Sequence, residues 1–379
     1  MNIGFIKFAD KYLGTLSCYL LAPFKRKMSV SKKSILFVQL WGIGETILTL
    51  PAIKAAKARF PKAHLAVLAT ERNKAVYEGA PFIDELIILN LGFSSVIRSI
   101  FRFYKRFDVV IDMEEYLNVS AILSFFLGKS SIGYANQARS RLYDTAIPYR
   151  DDQHVALTYF DLVRSLGVSS KVTHLEKVNL PARKKQYAKR LLNSHGVQPK
   201  DFLVGFGIGS AESSQCRKWP KDNFAALADL LVAQYSAKVV FVGAKSEIPE
   251  VSETISLMEH SSSAINLAGT TDVPQLFALI ESINLFVGND SGPMHIAACQ
   301  GVPAIGLFGP NLPARFGPFG KNNGAVYKGK VCRFSPCINV HLGQVPDCLY
   351  KKGSREYQLC MNAIKVKDVH DKIKEVLGR

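Results

Sequence analysis

The chain has 379 residues, 48% of them hydrophobic, and a formal charge of +17. That length exceeds a single hydrophobic core and suits two domains, and the composition excludes a disordered chain. No run of about 18 uncharged apolar residues occurs, which argues against a membrane-spanning helix, while the surplus of cations points to anionic partners: nucleic acid, phosphorylated lipid or an anionic substrate.

Residues 1–33 form a basic extension, with Lys7, Lys11, Lys25, Arg26, Lys27, Lys32 and Lys33 against the lone acid Asp10. The apolar stretch 12–24 is too short to span and lacks the features of a cleaved leader. Two readings stand. One is an amphipathic helix on an anionic membrane face, with Phe5, Phe8, Tyr12, Leu13 and Leu20 as apolar contacts; the other is a helix packed on the chain's own first domain.

The run 35–40 is a continuous apolar strand of the kind buried on both faces of a parallel sheet. The turn Trp41-Gly42-Ile43-Gly44 and a helix over 45–60 follow, the latter ended by Pro61. Strands at 65–69, 86–89 and 109–112 alternate with helices near 93–105 and 117–127, which spells a doubly wound α/β domain. Polar, Pro-punctuated residues 168–200, with a helix over 182–195, read as the inter-domain region. The pattern then restarts. Strands are expected at 202–206, 238–242, 265–267, 285–287 and 304–307, and helices at 224–234, 247–259, 274–281, 292–299 and 366–377. The Gly- and Pro-rich stretch 308–330 reads as loops. The division expected is thus an extension (1–33), an N-terminal domain (34–180), a C-terminal domain (181–365) and a final helix (366–379).

The segment 287–298 carries the strongest chemical signal. An apolar strand enters Asn289-Asp290-Ser291-Gly292-Pro293-Met294-His295, where a helix begins at once. Free N–H groups and the helix dipole at such a start suit a diphosphate, and the C-terminal end of a strand is where open α/β sheets bind ligands. Asp290 could equally be only the helix N-cap, and Gly309-Pro310 could wall the same site. A second glycine turn, Gly207-Ile208-Gly209-Ser210, precedes Arg217 and Lys218, cations for phosphate, and Trp219-Pro220 opens a helix. Glu247, just after another strand, can take ribose hydroxyls or be a solvated loop acid. Gly42 and Gly44 lack the third glycine of a dinucleotide loop. Glu45 beside them sits in a helix first turn, where the dipole stabilises its carboxylate; it is either simple helix-end electrostatics or a general base. There is no D-x-D and no P-loop motif, so neither a metal clamp nor P-loop chemistry is indicated, and no metal or other cofactor is expected. Seven cysteines, Cys18, Cys216, Cys299, Cys332, Cys337, Cys348 and Cys360, include no C-x2-C pair. Free thiols, a structural metal and local disulfides all stay open, and the odd count fits a reducing cytoplasm.

ILFVQLWGIGETILTLPAIKAAKARFP, RKWP and GNDSGPMHIAACQGVPAIGLFGP resemble glycosyltransferase family 9, the ADP-heptose:lipopolysaccharide heptosyltransferases, and the likeness extends over about residues 34–365. It implies a GT-B fold, two Rossmann-like doubly wound α/β domains facing a central cleft, with the acceptor on the first domain and the nucleotide sugar on the second. It implies inverting, metal-independent transfer of heptose from ADP-heptose to the lipopolysaccharide inner core, in the cytoplasm at the inner face of the inner membrane. By position it makes Glu45 the catalytic base, where well-known members carry Asp. It places Gly42 and Gly44 in the acceptor-side loop. Gly209, Ser210, Arg217, Lys218, Glu247, Asp290, Ser291, Gly292, Pro293, Met294 and His295 become the donor site. The rival readings are another sugar or acceptor, a nucleotide-sugar epimerase, a non-catalytic nucleotide-sugar binder and a nucleic-acid binder. No interleaving of basic and aromatic residues supports the last.

Overall fold

The computed structural model describes residues 8–25, 31–210 and 214–378. The chain divides into two compact units. Unit 1 is Met1–Val172 with Val340–Gly343, and unit 2 is Thr173–Asn339 with Gln344–Arg379. The division falls before the expected 180/181 because residues 176–178 bind unit 2: Gln300 accepts from the Val178 N–H and donates to its carbonyl, and the Cys299 thiol donates to the Glu176 carbonyl.

In unit 1 a π turn, Asp10–Gly14, runs into α1 (Thr15–Leu21). Then come β1 (Ser34–Val38), α2 (Ile43–Arg59), β2 (His64–Ala69), α3 (Lys74–Glu78), β3 (Glu85–Ile88), α4 (Phe93–Phe103), β4 (Phe107–Asp112), α5 (Asn118–Leu127), β5 (Gly128–Tyr134), β6 (Thr145–Ile147) and α6 (Val155–Arg164). All strands are parallel in the order β3-β2-β1-β4-β5-β6. Right-handed crossovers then place α2 and α3 on one face and α4 and α5 on the other. α2 is buried nearly all round, since it lies between the sheet and α6.

Unit 2 contains α7 (Ala182–Ser194), β7 (Leu203–Gly207), α8 (Lys221–Tyr235), β8 (Lys238–Val242), α9 (Ile248–Ser256), β9 (Ala264–Asn266), α10 (Val273–Glu281), β10 (Leu285–Asn289), α11 (Gly292–Gln300), β11 (Ala304–Phe308), α12 (Pro313–Phe316), β12 (Gly324–Tyr327), α13 (Leu359–Asn362) and α14 (Val366–Leu377). Its parallel sheet runs β12-β11-β10-β7-β8-β9. Val369 and Ile373 of α14 are buried in the core that also holds Phe206, Phe224 and Phe241, so this last helix is part of unit 2. Pro220 is the N-cap of α8 rather than its first residue. Within 308–330 the structure has more than loops: Gly324–Tyr327 pairs with β11 as the edge strand.

The N-terminal segment packs on unit 1 through one stripe only. Cys18 is buried against Ala121, Leu142 and Tyr143. The Asp10 carboxylate accepts the N–H groups of Asn118 (2.9 Å) and Val119 (2.7 Å), capping α5. Phe8, Tyr12, Leu13 and Leu20 point to solvent. Phe5, Lys7, Arg26 and Lys27 lie outside the described residues. No helix among the described residues is long and apolar enough to cross a membrane.

One buried ion pair organises unit 1 next to this capping contact. Arg139 and Asp112 are fully buried and 2.8 Å apart. Tyr143 donates to the same carboxylate oxygen at 2.7 Å and Ser120 at 2.8 Å. Arg139→Met would leave the Asp112 charge buried without its cation. The expected loss is about 3–5 kcal/mol of stability, read as a lower urea midpoint for the variant.

Candidate functional site

In a doubly wound sheet, ligands bind outside the strand C-termini where the strand order reverses. That point lies between β1 and β4 in unit 1 and between β7 and β10 in unit 2.

At the unit 2 point, Asn289 ends β10 fully buried. Its amide donates to the carbonyls of Ile208 (2.6 Å) and Gly209 (3.3 Å) and accepts the Trp219 N–H at 2.9 Å. One side chain therefore ties the glycine turn after β7 to the Arg217-Lys218 segment. Asp290 follows. It is not the N-cap of α11, a position that Ser291 holds. The buried Asp290 carboxylate instead accepts from Asn311 at 2.8 Å and pairs with Arg217 at 3.3 Å. The Ser291 hydroxyl donates to the Asn289 carbonyl, so it does not cap the first turn of α11. The N–H groups of that turn have no intrahelical acceptors, and Pro293 has no N–H to offer. His295, one turn further on, is buried, and burial pushes its imidazole down to about 4, with Asp290 opposing and Arg217 reinforcing the shift. It is neutral at pH 7.

Three buried polar atoms here have no hydrogen-bond partner among the described residues: Ser210 Oγ, Arg217 Nε and His295 Nδ1. Each orphaned buried group costs about 1–3 kcal/mol, and these three lie on the segments that follow β7 and β10 at the switch point of unit 2.

Glu247 bridges the ends of β7 and β8. Its carboxylate accepts the Ala244 N–H at 2.7 Å. It occupies the space that a Cβ on Gly209 would need, 1.6 Å from that position. Burial raises its pKa, against the pull of the Ala244 N–H and Lys218. Lys218 turns to Glu250, 2.5 Å away, and away from the Arg217–Asp290 pair it was grouped with in the sequence. Gly309 packs against Cys360 and Met361, and the Pro310 carbonyl accepts the Cys337 N–H. The seven cysteines form no disulfide, and no group of three or more His, Cys, Asp or Glu among the described residues is arranged to hold a metal ion.

At the unit 1 point, Gly42 adopts φ +61° as the N-cap of α2. The Glu45 carboxylate folds back over it, 1.8 Å from where a Gly42 Cβ would sit. Gly44 is buried in the first turn. The residue that holds this turn was not singled out from the sequence. Glu114, two residues beyond β4 and nearly fully buried, accepts the N–H groups of Leu40 (2.5 Å) and Trp41 (2.9 Å). Its only local signal is an acid just past a strand end.

Burial pushes the Glu114 carboxyl up to about 8; the Leu40 N–H opposes this, and Asp112 and Glu45 add to it. Its folded pKa thus lies above its unfolded value. The stability it contributes is fully present below about 4.5 and is lost as pH rises through about 8, at up to about 1.4 kcal/mol per pH unit. Urea unfolding at several pH values is expected to show that Glu114→Gln flattens this decline relative to wild type. His295 contributes with the opposite sign, its stability lost as pH falls from about 6.5 towards 4.

The family model described as glycosyltransferase family 9 (heptosyltransferase) matches residues 97–339. Lipooligosaccharide heptosyltransferase 2 of Haemophilus ducreyi is 26% identical over 304 residues, which span 74% of this chain and 84% of that protein. The crystal structure of the glycosyl transferase family 9 from Veillonella parvula superposes with a TM-score of 0.76 at 24% identity, covering 93% of this chain and 99% of that one. The structure of the Escherichia coli heptosyltransferase WaaC with ADP gives a TM-score of 0.66 at 18% identity over 90% of this chain and 99% of that one.

Proposed function

The chain belongs to glycosyltransferase family 9, the heptosyltransferase family, as a glycosyltransferase of GT-B type, and from that premise we propose that it moves heptose from ADP-heptose to the inner core of lipopolysaccharide, with inversion and without a metal. The observation that carries the donor half is the set of unpartnered buried atoms on Ser210, Arg217 and His295 beside the start of α11. Arg217 and the first-turn N–H groups of Ser291–Met294 suit a diphosphate. Neutral His295 and buried Asp290 suit sugar hydroxyls, and Glu247, held at the Gly209 and Ala244 backbone, suits the adenosine ribose. The likeness to a lipooligosaccharide heptosyltransferase and to a heptosyltransferase solved with ADP supports heptose, ADP and a lipopolysaccharide or lipooligosaccharide acceptor.

In this reading the acceptor hydroxyl gives its proton to Glu45 and attacks the anomeric carbon from the face opposite ADP. The C–O bond to the diphosphate breaks as the new glycosidic bond forms, through an oxocarbenium-like transition state. Leaving-group charge spreads onto Arg217 and the α11 N-terminus. Glu114, by holding the N–H groups of Leu40 and Trp41, positions the turn that carries Glu45. Because the acceptor is a lipid, the chain works at the inner face of the inner membrane.

The test is ADP release from ADP-heptose with and without a heptose-free lipopolysaccharide acceptor. Release that requires acceptor is expected, and Glu45→Gln should lower it by about 10²–10⁴-fold with ADP affinity unchanged. Arg217→Ala should weaken ADP binding by about tenfold or more, read by calorimetry. Full-rate release from the Glu45 variant would remove it from the mechanism. Absent release with tight ADP binding would redirect the reading to another sugar or acceptor.

A further inference from the structure

Helix α4 exposes apolar side chains that the glycosyl-transfer site does not use. Phe93 is 83% and Phe101 79% exposed, with Ile97 and Tyr104 also exposed on the same stripe. These four recur at helical spacing, so they share one face, while Val96, Ile100 and Phe103 pack inward. One residue further on, Arg98 and Arg102 form a parallel basic stripe, both exposed. Neither pairs with a carboxylate among the described residues. They wall an open hollow of about 340 Å³ beside β3, together with Ser95 and Ser99. Its one acid, Glu85, is paired with Arg106 and His64. No acid lies anywhere in residues 92–106.

A second such surface lies on the same unit. Phe8, Tyr12, Leu13, Leu16, Leu20 and Phe24 of the N-terminal segment are all exposed. Lys11 and Lys25 are exposed among them. Asp10, the sole acid of that segment, is turned inward onto α5. Helix α5 packs against both the N-terminal segment and α4, and the crossover rule puts α4 and α5 on one face of the sheet.

We propose that α4 is a membrane-docking helix that, with the exposed stripe of the N-terminal segment, seats unit 1 on an anionic lipid surface. The apolar stripe enters the acyl boundary and the flanking arginines meet lipid phosphates. Charge complementarity selects this occupant. A chain of +17 presenting two basic, acid-free stripes repels a second copy of itself but attracts a phosphorylated lipid layer. The proposal rests on the heptosyl-transfer reading only in that the acceptor there is a lipid.

The full chain is sedimented with vesicles of phosphatidylglycerol and phosphatidylethanolamine, and with phosphatidylcholine vesicles. Wild type is expected to bind the anionic vesicles, less tightly in high salt, and to leave the zwitterionic ones. F93S/F101S should weaken binding at least about tenfold, and R98Q/R102Q should weaken it and reduce its salt dependence. L13S/L20S measures the N-terminal share separately. All three pairs are exposed, so unchanged thermal melts are expected. Wild-type-like vesicle binding by F93S/F101S would overturn the role of α4. Equal binding to phosphatidylcholine would overturn the anionic lipid. A wild-type dimer that F93S/F101S turns into a monomer, with vesicle binding intact, would assign the stripe to a second copy. ADP release from ADP-heptose in the presence of a lipid-free acceptor fragment is followed in parallel. If that release is absent while vesicle binding behaves as expected, the transfer reading fails and the docking stands; the reverse pattern leaves transfer standing alone.

Discussion

A parallel sheet joined by right-handed crossovers sends every strand out at the same edge, and at each reversal of strand order the following loops diverge and leave a crevice. Both units obey this constraint, and nearly every residue with chemistry to offer stands at that edge. Gly42, Gly44 and Glu45 follow β1, and Glu114 follows β4. Ser210 follows β7, Glu247 follows β8, Asn289 to His295 close β10, and Asn311 follows β11. The hydrophobic cores beneath are built from strands buried on both faces, such as Leu203–Gly207 and Leu285–Asn289. They hold the strand ends in fixed relation, so the loops inherit a rigid base without needing secondary structure of their own.

Polar groups taken out of water must find partners or carry a cost of about 1–3 kcal/mol each. The chain applies this in two opposite ways. Asp112 with Arg139, Tyr143 and Ser120 is a nearly complete network, as is Asn289 with the Ile208 and Trp219 backbone, and each fixes a loop. Ser210, Arg217 and His295 are left with unmatched atoms at the point where the sheet geometry opens a crevice. Networks satisfied but for one Arg139 nitrogen set the frame, and the unmatched atoms of Ser210, Arg217 and His295 sit inside it.

The long, wholly apolar strands and the helices with clear periodicity were readable from residues alone, because burial on both faces leaves no other use for a run such as Val239–Val242. Three strands were not. β5 begins Gly-Lys-Ser-Ser and is polar for half its length; its Ser130 and Ser131 are buried by bonds to Asp108 and Asp144, which no local pattern announces. β6 is three residues long, and β12 is hidden among glycines because an edge strand needs little hydrophobicity. The motif at 288–295 falls at the strand-order reversal of unit 2, but the contacts its residues make depend on distant partners. Asp290 looked like a cap until Arg217 and Asn311 were in place. Glu114 and Asn289 act on backbone N–H and carbonyl groups that are 70 to 81 residues away, which sequence spacing does not encode. Lys218 went to Glu250 because that acid lies on α9, a neighbour of α8 that only the packing reveals.

The two candidate site acids share a feature. Glu45 lies in the volume a side chain at Gly42 would fill, and Glu247 lies in the volume a side chain at Gly209 would fill. A methyl group gained at Gly209 would meet only the far end of the Glu247 side chain, which can swing aside at little cost but would then leave the Ala244 N–H it holds. At Gly42 the same swing of Glu45 is not enough, because the positive φ disfavours a side chain whatever the space. The two glycines thus differ in kind: one is held by its backbone, the other only by the acid that leans over it.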